Sequence, residues 1–258
     1  MMKRPQWMTV FFALTLLLTL ETPAGAFEIG ARGLYWFPSF KADIKVDSGG
    51  LTGDTLQLKE TLGVKDEAFP SFEVFMGLGR HHLNVAYTPI AYSGSALLGQ
   101  DIVFNGQTFT AGTIVKTEMK LRMYDLHYRY TLLDFEDLAA GFSINAIGQV
   151  KYIDGEARIN AASNTLGSAG KFRAPMLMLG LGAHVGILFD FLEARFWATG
   201  MAYSKSYLYE ASADLSLTPF PFLDIHAGYK LIRLKINEGD VFLNSDFSGP
   251  FIGLTVSF

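Results

Sequence analysis

Ile252-Gly253-Leu254-Thr255-Val256-Ser257-Phe258 ends the chain on an unbroken alternation. In a strand, side chains two apart share a face. Ile252, Leu254, Val256 and Phe258 therefore line one side, and Gly253, Thr255 and Ser257 the other. The same period recurs upstream. Leu223, Ile225, Ala227, Tyr229 and Leu231 oppose Asp224, His226, Gly228 and Lys230. Leu177, Leu179, Leu181, Ala183, Val185 and Ile187 oppose Met178, Gly180, Gly182, His184 and Gly186. Within 138–152, Phe142, Ile144, Ala146, Val150 and Tyr152 oppose Gly141, Ser143, Asn145, Gln149 and Lys151, and Leu192–Ala198 alternates likewise. No segment holds a 3.6-residue period over three turns, which predicts strands and few helices.

The polarity of the two faces decides what kind of sheet this is. A water-soluble barrel puts its large apolar side chains inside. Here the face opposite the Leu, Val and aromatic residues is rich in glycine, serine and charge, which makes a poor core. Small and polar inward with apolar outward is the arrangement that hydrocarbon demands, and such a sheet must close because lipid cannot satisfy free strand edges. A transmembrane antiparallel up-and-down β-barrel is the expected fold. A soluble periplasmic barrel or sandwich is the alternative.

Composition agrees. Half of the 258 residues are hydrophobic, 18% are charged, and 22 Phe, 11 Tyr and 3 Trp are present. The mean hydropathy is +0.23. Such a chain is too apolar for disorder, yet beyond residue 20 it lacks the run of about 18 apolar residues that a spanning helix needs. A net charge of −4 without basic runs argues against nucleic acid. With no cysteine, disulfides, thiolate metal sites and a Cys nucleophile are excluded. At the N-terminus, Lys3 and Arg4 precede the apolar run Trp7–Leu20, and Ala24-Gly25-Ala26 follows Pro23. This pattern predicts a cleaved signal peptide over 1–26, export, and a barrel domain over 27–258.

Strands are expected near 27–37, 69–79, 82–93, 113–131, 137–155, 172–188, 192–203, 207–217, 222–236 and 247–258. That makes ten, with eight or twelve as neighbouring counts. Links at Arg80-His81, 133–136, Asp190 and Pro219-Phe220-Pro221 are short. Those over 38–68, 94–112, 156–171 and 237–246 are longer. Short and long links alternate as in outer-membrane barrels, except around Ser204-Lys205-Ser206. Within 94–112, Asn105-Gly106 between Ile102, Phe104 and Phe109 signals a hairpin.

The ending Phe251–Phe258, with its terminal Phe and alternating apolar residues, resembles the C-terminal strand of bacterial outer-membrane barrels. The opening Phe27-Glu28-Ile29-Gly30-Ala31-Arg32-Gly33-Leu34-Tyr35-Trp36 resembles a first barrel strand. The likeness is to the superfamily of small OmpA/OmpW-like barrels of the Gram-negative cell envelope. It implies that the barrel assembly machinery reads the terminal strand, with Phe258 as its signal. No cofactor or metal is implied.

Alternation places Glu28, Arg32, Asp125, His127, Arg129, His184, Glu193, Arg195, Asp214, Asp224, His226 and Lys230 inward. Asp and His together can do acid–base work, but a narrow barrel must fill its interior with side chains, and charges buried there need partners. A charge network filling the lumen is the expectation. Omptin-type proteases share ten strands but place an Asp–His pair at the outer rim, whereas His81, His82, His127, His184 and His226 all fall towards the periplasmic ends. A His-Ser pair of the lipid A deacylase kind and a G-x-S-x-G elbow are both missing, so no catalytic constellation is expected. Lys116, Lys120 and Arg122, together with Arg233 and Lys235, face outward above the apolar belt, where lipopolysaccharide phosphates would be natural partners. The acids of 38–68 lack calcium-loop spacing. The expected role is structural, surface-interacting or small-solute. The rivals are a porin-like channel for small or hydrophobic solutes, and an enzyme acting on lipid or peptide.

Overall fold

The alternating segments become strands that pair with their sequence neighbours. The computed structural model describes residues 27–135, 141–163, 166–188 and 191–258. The expected signal peptide over 1–26, the expected turn at Asp190 and the end of the expected link 133–136 lie outside them. In chain order the strands are β1 (Phe27–Trp36), β2 (Ser39–Val46), β3 (Leu56–Gln57), β4 (Phe69–Leu78), β5 (His81–Leu97), β6 (Ile102–Phe104), β7 (Gln107–Phe109), β8 (Ile114–Phe135), β9 (Phe142–Ala161), β10 (Gly167–Leu188), β11 (Leu192–Tyr203), β12 (Ser206–Phe220), β13 (Leu223–Glu238) and β14 (Val241–Ser257). The barrel runs β1-β4-β5-β8-β9-β10-β11-β12-β13-β14, each strand antiparallel to the next. β14 returns to β1 from Gly30↔Ser257 to Trp36↔Phe251. This is a closed up-and-down barrel of ten strands.

Both chain ends of the barrel lie at one rim, here the terminal rim. The opposite, loop rim carries β2 and β3 and the β6–β7 hairpin. At Asn105 (φ 48°) and Gly106 (φ 74°) that hairpin turns with two consecutive left-handed residues, the requirement of a type I′ turn. β2 prolongs the line of β1 beyond Phe37-Pro38 and pairs with the far half of β14, Ser39↔Ser248 to Val46↔Val241. At that junction a side chain on residue 249 would overlap the Phe37 carbonyl, so Gly249 is what lets the two strands cross this closely.

Along the strands, both faces exchange polarity at one level. On β8 the lumen side carries Arg129, His127 and Asp125 and then Met123, Leu121 and Met119, while the outside carries Tyr128, Leu126 and Tyr124 and then Arg122, Lys120 and Glu118. On β13, Asp224, His226 and Lys230 give way inside to Ile232, Leu234 and Ile236; outside, Tyr229 and Leu231 give way to Arg233 and Lys235. β9 changes between Lys151 and Ile153. Below this level the exterior is a belt of exposed apolar side chains: Leu177, Leu179 and Leu181 are 61–72% exposed.

Tyrosines mark the upper edge of that belt. Tyr87, Tyr124 and Tyr152 are register partners, with ring centroids 5.0 and 6.2 Å apart. Phe27, Phe135, Phe191, Phe220, Phe222 and Phe258 are exposed at the terminal rim. At about 3.3 Å per residue and a tilt of about 40°, Tyr124 to Phe135 rises roughly 28 Å along the axis, close to the thickness of a bilayer's hydrocarbon layer.

Above the tyrosines the barrel is built like a water-soluble one. Phe40 stacks on Tyr92 at 4.2 Å and packs on Phe247 at 5.2 Å, and Phe69 meets Tyr92 edge-on at 5.0 Å. Leu56, Leu58, Leu62, Ile102, Phe104 and Phe109 from the long loops complete this core. Burial, with Asp66 and Glu67 near by, pushes the Tyr92 phenol well above its usual range. Across the mouth, Asn105 takes the Val46 carbonyl at 2.9 Å through its backbone N–H, while its side-chain amide donates to the Ala169 carbonyl at 3.1 Å. β2 and β10, on opposite walls, are thus tied together.

Two expectations change. The segments 156–171 and 237–246 are not long links: β9 and β10 continue to Ala161 and from Gly167, and β13 and β14 are joined by Gly239-Asp240 alone. Residue 38–68 is likewise not all link, since it contains β2. The lumen is also charged only on the terminal side of the tyrosines and apolar beyond. One cause explains both. Past the level of exchange the charges face out, so a reading that looks for apolar-out takes strand for loop.

Candidate functional site

The lumen's terminal half brings ionisable side chains from most barrel strands into one network. At its centre is Lys151 on β9, which is fully buried. Its Nζ lies 2.7 Å from Asp125 Oδ1 on β8 and 3.1 Å from Glu210 Oε2 on β12. Gln149 Nε2 donates to the same two carboxylates at 2.7 and 3.1 Å, and its Oε1 accepts from Thr199 Oγ1 of β11. Lys230 on β13 pairs with Glu210 Oε1 at 2.7 Å and sits 5.6 Å from the Trp36 ring centroid. A cation buried this deeply persists only with close partners, and here two carboxylates from opposite sides of the lumen supply them.

Nearer the terminal rim lies a second set. Arg195 Nη2 donates to Asp214 Oδ2 at 2.8 Å and contacts His226 Nδ1. His226 Nε2 lies 2.6 Å from Thr255 Oγ1, which also accepts from Arg32 Nε at 2.9 Å. Arg32 pairs with Glu73 at 3.4 Å, and Asn84 donates to Glu73 at 2.9 Å. His184 lies 3.2 Å from Glu193, and His127 is 3.9 Å from Asp125. Asp224 accepts from Thr218 at 2.7 Å. Glu28 shares the space over Gly77 with His82. Arg129 lines a cavity of about 90 Å³ with Glu73, Asn84 and Asn145, roomy enough for several waters.

All twelve inward candidates thus lie on the lumen side. Lys151, Glu210, Gln149 and Glu73, which hold the network together, are absent from that set. Parity could have found them: Lys151 and Gln149 share the face of Ser143 and Asn145, and Glu210 shares that of Ser212 and Asp214. The Thr255, His226 and Asp214 chain has the order of a nucleophile–base–acid relay, but Thr255 and His226 are 2% and 1% exposed, and Arg32 and Arg195 occupy the space beside them. Replacing Arg195 with Ala leaves Asp214 without its guanidinium and is expected to cost about 1.5–3 kcal/mol, the range for hydrogen bonds to a charged group. The denaturant midpoint of the detergent-folded barrel reads this, and an unchanged midpoint would show that the pair contributes nothing.

Outside, Lys116, Lys120, Arg122 and Arg233 are exposed and Lys235 is half-buried. On β8–β9–β10 the register stacks Tyr124, Tyr152 and Pro175 in one row, Arg122, Asp154 and Arg173 in the next, and Lys120, Glu156 and Lys171 above them. Arg122 lies 3.1 Å from Asp154, and Arg173 and Lys171 lie 3.7 Å from Asp154 and Glu156. The hydrogen bond from Arg158 holds Glu156 below the usual carboxylate range. Arg233 donates to Asp246 at 2.6 Å, and Lys235 lies over the Phe242 ring.

The sequence matches no family model and no curated protein. Among solved structures, the barrel is similar to the outer membrane protease OmpT from Escherichia coli, with a TM-score of 0.56 and 12% identity over 92% of this chain and 99% of that one. The translocator domain of the autotransporter NalP from Neisseria meningitidis gives 0.43 at 11% identity, covering 98% and 95%. Ail, the attachment invasion locus protein of Yersinia pestis, gives 0.39 at 10%, covering 90% and 99%. At such identities the likeness concerns architecture alone. The chain has the fold of the bacterial outer-membrane β-barrels.

Proposed function

We propose that this protein is an integral outer-membrane barrel, exported by its signal segment, that is closed to solutes, catalyses no reaction and works through its outer wall. The observation that carries this reading is the double closure of the lumen. Lys151, Asp125, Glu210 and Gln149 bridge it at one level, and the Phe40, Tyr92 and Phe247 core fills it at the next. A belt of exposed leucines between two aromatic rings suits lipid and nothing else in the envelope. Ile29 and Phe258 exchange backbone hydrogen bonds of 3.0 and 2.9 Å, so the terminal strand that the assembly machinery would read is also the one that seals the seam.

On the outer wall, lipopolysaccharide is the partner whose chemistry fits. Arg122, Arg173, Lys120 and Lys171 surround two carboxylates directly above the Tyr124–Tyr152 pair. That surplus of positive charge stands at the height where lipid phosphates begin, and charge-assisted hydrogen bonds would hold them.

Purified protein in planar bilayers is expected to give no steady conductance. It should fractionate with outer membranes and migrate faster on a gel unheated than boiled, as a closed barrel resisting detergent does. Large, steady single-channel currents would replace this reading with the channel one. Recovery in the soluble periplasmic fraction would overturn it altogether.

A further inference from the structure

On the opposite wall, the strands β12–β14 and β2 carry a polar groove of about 400 Å³ just above the belt, lined by Tyr207, Tyr209, Arg233, Asp246, Lys41 and Asp43 among others. The two tyrosines point outward from β12 with rings parallel to within 22° and centroids 5.7 Å apart. Arg233 is fixed between them and the next strand: its Nη1 donates to Tyr209 Oη at 3.1 Å and its Nε to Asp246 Oδ2 at 2.6 Å. Those bonds raise the Arg233 pKa further. Lys41 and Asp43 are register partners of Asp246 and Asn244 and form no ion pair or side-chain hydrogen bond among the described residues.

Such a wall is not built for a phosphate. Arg233 is already neutralised by Asp246 and Lys59 by Asp66, Lys41 stands in the same groove as Asp43 and Glu60, and the widest flat surfaces are aromatic. Flat rings beside forked donors and acceptors match the alternating C–H faces and vicinal hydroxyls of a pyranose, and the volume suits a small ligand oriented by a few polar groups.

What lies beneath points to the ligand's other end. One step towards the terminal rim, the register row Gly200–Tyr209–Arg233 is followed by Ala198–Ala211–Leu231 and then Phe196–Ala213–Tyr229. The alanines floor an apolar depression of about 550 Å³ whose sides include Phe196, Tyr229 and Leu181. The depression lies inside the belt, directly under the polar groove. An amphiphile with a sugar head and an acyl chain fills both at once.

We infer that this wall binds one saccharide-headed lipid, its sugar on Tyr207 and Tyr209 beside Arg233 and Asp246 and its chain over Ala198, Ala211 and Ala213. The inference rests on the reading of the belt as membrane-embedded, which fractionation and gel migration test separately.

The test uses the full barrel in nanodiscs of phosphatidylcholine doped with either monoglucosyl diacylglycerol or phosphatidylglycerol, with retained lipid read by native mass spectrometry. The glucosyl lipid is expected to be retained about tenfold above the matrix lipid, and phosphatidylglycerol no more than the matrix; Tyr209→Ala is expected to remove most of that preference. Ala211→Phe, which fills the depression and leaves the polar groove intact, should remove it too. Ala211→Leu serves if the Phe variant fails to show the fast-migrating folded band. Equal retention of all three lipids overturns the proposal, as does retention unchanged in the folded variants. Preference for phosphatidylglycerol over the glucosyl lipid also overturns it, because a phosphate surface alone would then explain the wall.

Discussion

Replacing Lys151 with Met is expected to destabilise the folded barrel by about 3–5 kcal/mol, the cost of breaking a buried ion pair by removing one partner. Lys151 has near-zero exposure, and its ammonium is the group nearest to both Asp125 and Glu210. Without it, two buried carboxylates face each other across Gln149, whose single amide already donates to both. Lys230 still neutralises Glu210, but Asp125 keeps only the neutral Gln149 amide and, 3.9 Å away, His127. Methionine preserves most of the volume, so the loss reports charge rather than packing. The cost should be recovered largely in Lys151→Met with Asp125→Asn and Glu210→Gln, because neutral amides can share hydrogen bonds there and no charge is stranded. Denaturant titration of the three proteins in detergent, followed by the loss of the fast-migrating band, measures both steps. If Lys151→Met unfolds with wild type, or if the triple variant is no better than the single one, the central role of Lys151 is wrong. Conductance should stay low in each, since the apolar level above remains.

The sequence made the strand-to-strand architecture readable because lipid imposes a strict rule on the belt. Leu177, Leu179 and Leu181 could only face outward once their partners were Met178, Gly180 and Gly182. The seam was readable in the alternation of Ile252 to Phe258. Strand ends were not, and the reason is physical. Beyond Tyr152, the alternation Ile153-Asp154-Gly155-Glu156-Ala157-Arg158-Ile159 keeps its period, but the solvent outside has changed from hydrocarbon to water. The same pattern then means the opposite placement, and one sequence carries no mark of where the solvent changes except the tyrosines. Lys151 sits at that boundary, next to Tyr152; alternation puts it on the polar face, but only the fold shows that it meets two carboxylates there. The pairings in the lumen were legible only as a balance of signs. Which residues meet depends on tilt and register across the barrel, as in Lys151 with Glu210, three strands apart in the barrel order. The Tyr207–Tyr209 groove was hidden for the same reason: Lys41 and Asp246 join it through the pairing of β2 with β14, which lies within segments that read as loop.

Phe40→Ala is expected to cost about 3–5 kcal/mol, as large aromatic truncations in packed cores do. Phe40 belongs to the segment that extends the first strand past Pro38, and it is fully buried. Its ring contacts Tyr92 and Phe247 on two other strands, while its backbone N–H donates to Asp66 Oδ1 at 2.8 Å. Truncation therefore empties the centre of the distal core without touching the ladder, and the rings around it belong to strands pinned by their own pairing, so the void cannot collapse. A barrel stabilised by its membrane belt alone would not register this change, because Phe40 lies beyond the tyrosine level and never meets lipid. Phe40→Leu, which refills most of the space, should restore the larger part of the stability. Wild-type unfolding behaviour in Phe40→Ala would mean that the loop half is a loose extension. The lumen would then have one closure instead of two, and the charge network around Lys151 would have to block solutes unaided.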